Sequence, residues 1–121
     1  EAGSDKIVRS VEQVTERDIP LTEAVYYILL AVRVPNHGYG IIQEVERMTD
    51  GRVVLGAGTL YGAIQTLLKK KWIDIYSVDT ESRKKQEYRI TELGRAVFEA
   101  ERTRLEELLR NAALMRDENE G

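Results

Sequence analysis

The segment at residues 56–72, GAGTLYGAIQTLLKKKW, decides the fold because it predicts a short helix with two unlike faces. At about 100° per residue, one arc of this helix is apolar and carries Leu60, Ala63, Ile64, Leu67 and Leu68. The opposite arc is polar and carries Gly62, Gln65, Thr66 and Lys69, flanked by Thr59 and Tyr61. Amide, hydroxyl and ammonium groups contact base edges and phosphates in nucleic-acid complexes. The pattern favours either a helix that packs on one side and contacts nucleic acid on the other, or a plain amphipathic core helix with Gly56 as its N-cap.

Length and composition predict one ordinary globular domain. The chain has 121 residues, of which 42% are hydrophobic and 32% charged. It has no cysteine, and the single His37 cannot complete a site that needs several histidines, so we expect no disulfide, metal or cofactor. The longest apolar run, residues 24–32, is too short to span a bilayer. No signal peptide is visible, and we therefore expect a cytoplasmic protein without a membrane partner.

The charge is unevenly distributed along the chain. The net charge is −3, yet residues 56–91 contain 7 basic and 4 acidic residues, a local charge of +3. The basic side chains form two clusters, residues 69–71 and residues 83–85. This distribution predicts a local positive field beside the two-faced helix, which is compatible with an acidic protein that binds nucleic acid.

Helical periodicity predicts two helices before residue 56 and a weaker one at the N-terminus. Residues 6–17 carry a thin apolar stripe that needs a surface to dock on. Thr22 is the expected N-cap of the next helix, with Glu23 in its first turn and Pro35 and Asn36 as its stop. A further helix is expected over residues 39–50, closed by Gly51. His37 is predicted to be a turn residue, because no nucleophile or carboxylate pattern accompanies it.

After Trp72 the hydrophobic period changes from 3.6 to 2. Ile73 and Ile75 alternate with polar neighbours, and so do Tyr88 and Ile90, which predicts a two-stranded hairpin. Its turn carries basic side chains that either contact phosphates or form a solvated loop. Three helices followed by such a hairpin are the components of a winged helix-turn-helix.

The C-terminal segment, residues 91–116, predicts one long helix with Thr91 as its N-cap. An apolar seam runs along it at three- and four-residue steps and is interrupted by Glu99, Glu101, Arg102 and Arg104. A core this small cannot bury such a seam, so we expect it to pack on a second copy of the chain. The fold class is therefore α+β and mostly helical. We expect an N-terminal tail and helix over residues 1–20, a winged helix-turn-helix domain over residues 21–91, and a C-terminal dimerisation helix over residues 92–121.

Four motifs together resemble the PadR family of bacterial transcriptional regulators. They are HGYGII at residues 37–42, GTLY at residues 58–61, the exit from LL at residues 67–68 to WI at residues 72–73, and YRITELG at residues 88–94. The single C-terminal helix resembles the short-tailed branch of that family. The resemblance implies a dimeric winged-helix DNA-binding protein, usually a repressor, with the last helix as dimer element and any effector site near the dimer interface.

Two positions depart from the family pattern. Lys71 occupies a position where the family often has glycine, and a left-handed lysine would cost about 1 kcal/mol. We therefore expect the preceding helix to end differently. The turn of the wing contains no glycine, whereas the family's turn is often glycine-rich.

These considerations predict three groups of functional residues. For DNA we expect base reading and orientation from Thr59, Tyr61 and Gln65, close backbone approach at Gly58, and phosphate contacts from Lys69, Lys70, Arg83, Lys84 and Lys85. For the homodimer interface we expect Leu105, Leu108, Ala112 and Met115. A small hydrophobic or phenolic effector, if one is used, is expected near Val97 and Phe98, where the seam thins. The expected DNA is an inverted-repeat operator.

The sequence supports two other classes of function less well. A winged-helix module that binds protein through the same faces, without sequence-specific DNA binding, is the alternative. An enzyme has less support, because Gly56 and Gly58 lack the third glycine and the preceding long strand of a dinucleotide fingerprint. No phosphate-loop motif is present, and we expect no enzymatic activity.

Overall fold

The structure, a computed structural model, describes residues 18–78 and 86–120. Its elements follow in the order α1 (Glu23–Ala31), β1 (Asn36–His37), α2 (Gly38–Met48), α3 (Ala57–Lys69), β2 (Ile73–Val78), β3 (Gln86–Ile90) and α4 (Glu92–Glu120). The winged-helix fold expected from the sequence is confirmed. The expected N-terminal helix and the turn of the wing lie outside the described residues.

Helix α1 begins as predicted and ends early. The Thr22 hydroxyl oxygen accepts the Val25 backbone N–H at 3.2 Å, so Thr22 is the N-cap. The last helical residue is Ala31, four residues before the predicted stop at Pro35. The carbonyl of Val32 accepts the backbone N–H of Ile90 at 2.9 Å, which ties the end of α1 to β3 instead of extending the helix.

The sheet has three strands, one more than the sequence indicated. Its order is β1-β3-β2 with antiparallel pairing throughout, and Asn36 lies opposite Tyr88. The predicted hairpin of β2 and β3 is confirmed. The additional strand, β1, was not predicted because a strand of two residues has no period to detect. A register irregularity between Ile75 and Ser77 leaves both Ile75 and Tyr76 exposed on β2.

Helices α2 and α3 both end with a residue in the left-handed region. Lys71, with φ 64°, directly follows the cap of α3. The backbone N–H of Lys71 bonds to the Leu68 carbonyl and that of Trp72 to the Leu67 carbonyl, both at 3.0 Å, which is the Schellman arrangement. The expectation that Lys71 would change this helix end was therefore wrong. Two hydrogen bonds and the burial of Trp72 outweigh the backbone strain of about 1 kcal/mol. Helix α2 closes in the same way, with the left-handed residue at Asp50 rather than at Gly51 alone.

The core collects apolar side chains from all helices and from β2 and β3. The predicted inner face of α3 is confirmed, because Leu60, Ile64 and Leu67 are buried. Burial of each contributes roughly 1.5–3 kcal/mol relative to exposure. From α4, Val97 enters the same core and has no exposed surface. Among the helices of the described residues, none has both the length and the apolar character needed to cross a membrane.

The start of α4 is anchored to the exit of α3. The Thr91 hydroxyl accepts the Gly94 N–H at 3.0 Å and donates to the Lys71 carbonyl at 2.7 Å, which confirms Thr91 as N-cap. The backbone N–H of Thr91 bonds to the Trp72 carbonyl at 2.9 Å. Farther along α4 the seam is exposed in the single chain: Leu105 is 38% and Leu109 76% exposed.

Glu101 is the unexpected buried residue of α4. The sequence placed it among the polar interruptions of the seam, but it is only 2% exposed. Its Oε2 accepts the backbone N–H of Leu21 at 2.9 Å, and its carboxylate pairs with Arg104 through bonds of 2.6 and 3.0 Å. The hydrogen bond from Arg104 lowers the pKa of Glu101 despite burial, which acts in the opposite direction. Glu101 therefore holds the chain segment before α1 against α4.

This ion pair predicts a pH-dependent contribution to stability. A carboxylate whose pKa is lower in the folded than in the unfolded state stabilises the fold above the unfolded pKa, and that stability is lost as the pH falls through the folded value. We expect Glu101→Gln to reduce the free energy of unfolding at pH 7 by about 2 kcal/mol. The difference from the parent should shrink steadily below about pH 4.5. Urea unfolding at equal protein concentration from pH 3 to pH 7 measures it; a constant difference across this range would contradict the assignment.

Candidate nucleic-acid interface

The outer face of α3 is exposed along its whole length. Thr59, Gln65, Thr66 and Lys69 all present their side chains to solvent. The space beside Gly56, Gly58 and Gly62 is open, with nothing within 4 Å of where a Cβ would stand. Within the described residues the Gln65 amide has no hydrogen-bond partner. This face is narrow at its N-terminal half and offers free polar groups, as a helix that enters a DNA major groove requires.

Tyr61 differs from Thr59 and Gln65, the other predicted base-reading residues, because it also packs within the protein. A Cβ built on Gly38 would stand 2.8 Å from Cζ of Tyr61 and closer still to its hydroxyl oxygen. The phenol therefore lies against the first residue of α2, while 45% of Tyr61 remains exposed. Burial, with a smaller contribution from nearby Tyr61, raises the pKa of Tyr88 on β3. Tyr61 thus links α3 to α2.

The lysines of α3 lie at the opposite end of the helix from the glycines. Lys69 is eleven residues beyond Gly58, about 16 Å along the axis. Lys69 is exposed, but the Nζ atom of Lys70 lies 4.6 Å from the Trp72 ring centroid and 3.8 Å from Asp18 Oδ1. The two lysines therefore cannot share a phosphate with the N-terminal half of α3, and Lys70 already has partners.

One cation of the wing was not among the predicted contacts. Arg89 lies on β3, with its guanidinium 4.9 Å from the centroid of the Tyr76 ring and 3.5 Å from Asp74. Its side chain remains about half exposed. The sequence could have indicated Arg89 as a wing cation, because it lies two residues before Thr91 in a strand that begins beside the basic turn. The predicted contacts Arg83, Lys84 and Lys85 lie outside the described residues.

His37 has a structural role. Its Nδ1 accepts the Gly40 backbone N–H at 2.9 Å, so His37 is the N-cap of α2, and it is also part of β1. The sequence predicted a turn residue, whereas His37 lies in a two-residue strand that leads directly into α2. Within the described ranges, no cluster of histidine and carboxylate side chains is arranged to hold a metal ion.

The two residues expected near an effector occupy different environments. Val97 is fully buried in the core. Phe98 is partly exposed, stacks on Tyr26 with ring centroids 4.6 Å apart, and lines a cavity between α1 and α4. Of the expected interface residues, Leu105, Leu108 and Met115 are among the exposed large apolar side chains of the chain, and Ala112 is exposed as well.

Comparison with known proteins gives a family match and a set of structural neighbours. The family described as transcriptional regulator PadR-like matches residues 28–100. A curated relative from Lysinibacillus sphaericus, named uncharacterized protein X, is 39% identical over 61 residues. That match covers 50% of this chain and 56% of the relative, so the chain spans little more than half of the relative's length.

Two solved structures illustrate the structural likeness. A PadR family transcriptional regulator from Eggerthella lenta is 21% identical, with a TM-score of 0.64 and coverage of 95% of this chain and 96% of that chain. BpsR of Bordetella bronchiseptica, reported for the regulation of its DNA binding by 6-hydroxynicotinic acid, is 21% identical with a TM-score of 0.62, covering 93% and 85% of the two chains. At these identities the likeness shows the fold.

Proposed function

The chain belongs to the PadR-like family of transcriptional regulators, and on that premise we propose that it is a repressor that binds an inverted-repeat DNA operator as a homodimer. The observation that carries this proposal is the exposed outer face of α3. Its glycines leave the N-terminal half without bulk, and the amide of Gln65 and the hydroxyl of Thr59 are exposed and can contact base edges. The Thr66 hydroxyl, in contrast, donates to the Gly62 carbonyl at 3.2 Å.

The base contact we propose is made by Gln65. A glutamine amide pairs bidentately with N6 and N7 of adenine in the major groove, and such a pair contributes about 1–3 kcal/mol of discrimination. Thr59 and Tyr61 orient the helix and add contacts, and Gly58 lets the backbone approach. The contact of Tyr61 with Gly38 supports an orienting role for Tyr61, because it couples the position of α3 to that of α2.

The phosphate contacts we propose come from the wing turn and from the end of α3. Arg83, Lys84 and Lys85 contact the backbone from the wing, and Lys69 and Lys70 contact it beyond the groove. Lys70 must first leave Trp72 and Asp18, so its net contribution is expected to be smaller than that of Lys69. These contacts set affinity and register, whereas the sequence is read by α3.

The dimer we propose forms through the seam of α4. Leu105, Leu108, Ala112 and Met115 project from one side of a helix that extends beyond the core. A two-fold dimer would place its two α3 helices about 34 Å apart, or a multiple of that, to match half-sites on one face of the duplex.

Release of the DNA by a small hydrophobic or phenolic effector completes the proposal. The cavity beside Phe98 supports it, since this cavity lies between α1 and α4 and is open to solvent on the single chain. The regulation reported for BpsR concerns that protein, and the shared fold motivates the comparison.

Gln65→Ala should reduce the preference for operator over scrambled DNA by about 1–3 kcal/mol per half-site while nonspecific binding persists. Fluorescence anisotropy with both duplexes at one fixed salt concentration measures this difference. Gln43→Ala is the matched control, because Gln43 is an exposed glutamine on the adjacent helix α2. If the Gln65 variant keeps the parent's preference, α3 does not read the operator through this side chain.

Lys84→Ala should weaken operator and scrambled DNA alike. Each lost phosphate contact flattens the slope of log K against log salt by about 0.9, so two half-sites give a change of about 2. Arg110→Ala, an exposed position on α4, is the control and should leave the slope unchanged. A DNA affinity that does not change with the salt concentration would favour the protein-interaction alternative.

A further inference from the structure

The segment HGYG at residues 37–40 contains a glycine that its own backbone does not require. Among the glycines that the structure describes, only Gly51 has a φ in the left-handed region, so Gly38 could carry a side chain without backbone strain. An alanine there would also lower the conformational entropy of the unfolded chain. The cap of α2 is supplied by the His37 ring and not by Gly38. The absence of a side chain at Gly38 is therefore explained by the space beside it.

The Tyr61 ring of α3 occupies that space. A Cβ on Gly38 would stand 2.8 Å from Cζ and 3.1 Å from Cε1 of Tyr61, and closer still to its hydroxyl oxygen. Carbon atoms in favourable contact are about 3.5–4.0 Å apart, so a methyl group on residue 38 and the ring cannot both stay in place. Helices α2 and α3 approach this closely only because residue 38 has no side chain.

We propose that Gly38 is a positioning residue for DNA recognition, because its missing side chain determines where the Tyr61 phenol lies on the outer face of α3. This inference rests on the proposed function, in which that face reads the operator. It adds to the site a residue of the neighbouring helix, which acts through Tyr61 rather than by contacting bases itself.

The atom that crowds a glycine decides which property a new side chain would change. At Gly94 this atom is the Trp72 carbonyl oxygen, which is held by two hydrogen bonds from Thr91. At Gly38 it is the end of the Tyr61 side chain, and this residue is 45% exposed, so the ring can rotate away about its own side-chain bonds. A methyl group at Gly38 is therefore expected to displace Tyr61 and to leave the fold intact.

The open side of the Tyr61 ring is toward solvent. Residue 38 closes the side toward α2, and the inner neighbours Leu60 and Ile64 on α3 are buried in the core. Gln65 lies one turn farther along α3, and the Cβ atoms of such pairs are about 5–6 Å apart. A ring that moves outward would therefore enter the space through which base edges approach Gln65, and operator binding should suffer more than nonspecific binding.

Gly40 provides a matched control on the same turn of α2. A Cβ there would stand 3.0 Å from Cγ of Asn36 and 3.2 Å from Cε1 of His37, and closer still to the Asn36 amide oxygen. The crowding is comparable to that at Gly38, but it falls on β1 instead of α3. Gly40→Ala should therefore lower stability without changing how α3 meets DNA.

The test is a double-mutant cycle of the parent, Gly38→Ala, Tyr61→Ala and the double variant. The probes are the inverted-repeat duplex that the parent selects from a random library and a scrambled duplex, compared by fluorescence anisotropy at one salt concentration. Gly38→Ala should lower the preference for the selected duplex by about tenfold per half-site. In the Tyr61→Ala background the same substitution should cost nothing, because no ring remains to be displaced. Gly40→Ala should keep the parent's preference.

A measurement without DNA separates this inference from the proposed function. In the NMR spectrum of protein with isotopically labelled tyrosine, the ring signals that disappear in Tyr61→Ala are those of Tyr61. Gly38→Ala should shift these signals and make the ring more accessible to a soluble paramagnetic probe. Gly40→Ala should leave both the signals and the accessibility as they are in the parent.

Gly38→Ala protein that keeps the parent's preference overturns the inference and leaves the proposed function standing. Equal losses in the Tyr61 and Tyr61→Ala backgrounds, unmoved Tyr61 signals, or a Gly38→Ala chain that circular dichroism shows to be unfolded overturn it as well, because Gly38 would then act by another route. A parent that selects no duplex contradicts the proposed function and with it the role in recognition; shifted Tyr61 signals would then support the packing contact alone.

Discussion

A Gly94→Ala variant will unfold at a clearly lower urea concentration than the parent, with a loss of about 2–3 kcal/mol in the free energy of unfolding. Alanine in a helix is normally better than glycine by about 1 kcal/mol, so the expected sign is opposite to the intrinsic preference. The reason is the space available. A Cβ on Gly94 would stand 2.9 Å from Cγ1 of Ile90 and 3.0 Å from the carbonyl carbon of Trp72, and closer still to the Trp72 carbonyl oxygen.

That oxygen has no freedom to move away, because it also accepts hydrogen bonds from the backbone N–H and the hydroxyl of Thr91. Gly62→Ala is the matched control, since Gly62 lies in α3 with nothing within 4 Å of the added Cβ. It should gain about 0.8–1 kcal/mol. If Gly94→Ala proved as stable as the parent, the close approach of α4 to the exit of α3 would be wrong.

The double variant Leu105→Glu, Leu108→Glu should abolish the proposed dimer. Four carboxylates would then face one another across a two-fold seam, where burial of charge without a partner is costly. Sedimentation should show monomers or unfolded chains. Operator affinity should fall by about 10²–10⁴, because the two half-sites are no longer bound by one linked molecule.

Leu114→Glu provides the control on the same helix. Leu114 is exposed and is rotated about 180° from Leu105 at 100° per residue, so it lies opposite the seam. This variant should sediment like the parent. A folded double variant that is still dimeric would place the interface elsewhere, and loss of the dimer in Leu114→Glu would show that the interface uses the opposite face.

The elements that the sequence predicts well are those with a long period or a cap signal. The inner face of α3, the N-caps Thr22 and Thr91, and the change of period after Trp72 all depend on local spacing, and the structure confirms them. Local spacing is sufficient to predict these elements, because the period of a helix or strand determines which side chains share the buried face, independently of what that face packs against.

The features that the sequence did not predict depend on partners that are distant in the chain. Glu101 is buried because the Leu21 N–H, 80 residues away, and Arg104 satisfy it. Strand β1 exists only because Tyr88 lies beside Asn36. In the candidate site, spacing predicted which side chains of α3 are exposed, but not that Tyr61 packs on Gly38 or that Lys70 pairs with Asp18. Spacing within one helix carries no information about these contacts.

The hydrogen bonds of Trp72 connect the end of α3 to the start of α4, so that α4 would act as a rigid lever arm in the proposed dimer. The N–H of Trp72 bonds to the Leu67 carbonyl at the end of α3, and the oxygen of Trp72 accepts two hydrogen bonds from Thr91, the N-cap of α4. We therefore expect the two helices to rotate together. Helix α4 has 29 residues and is therefore about 43 Å long. If α4 tilts by about 5° about its C-terminal end, its N-terminal end moves by about 4 Å, which is close to the rise of one base pair. In the proposed dimer, a small rotation of α4 at the seam would therefore be enough to shift the two α3 helices relative to their half-sites.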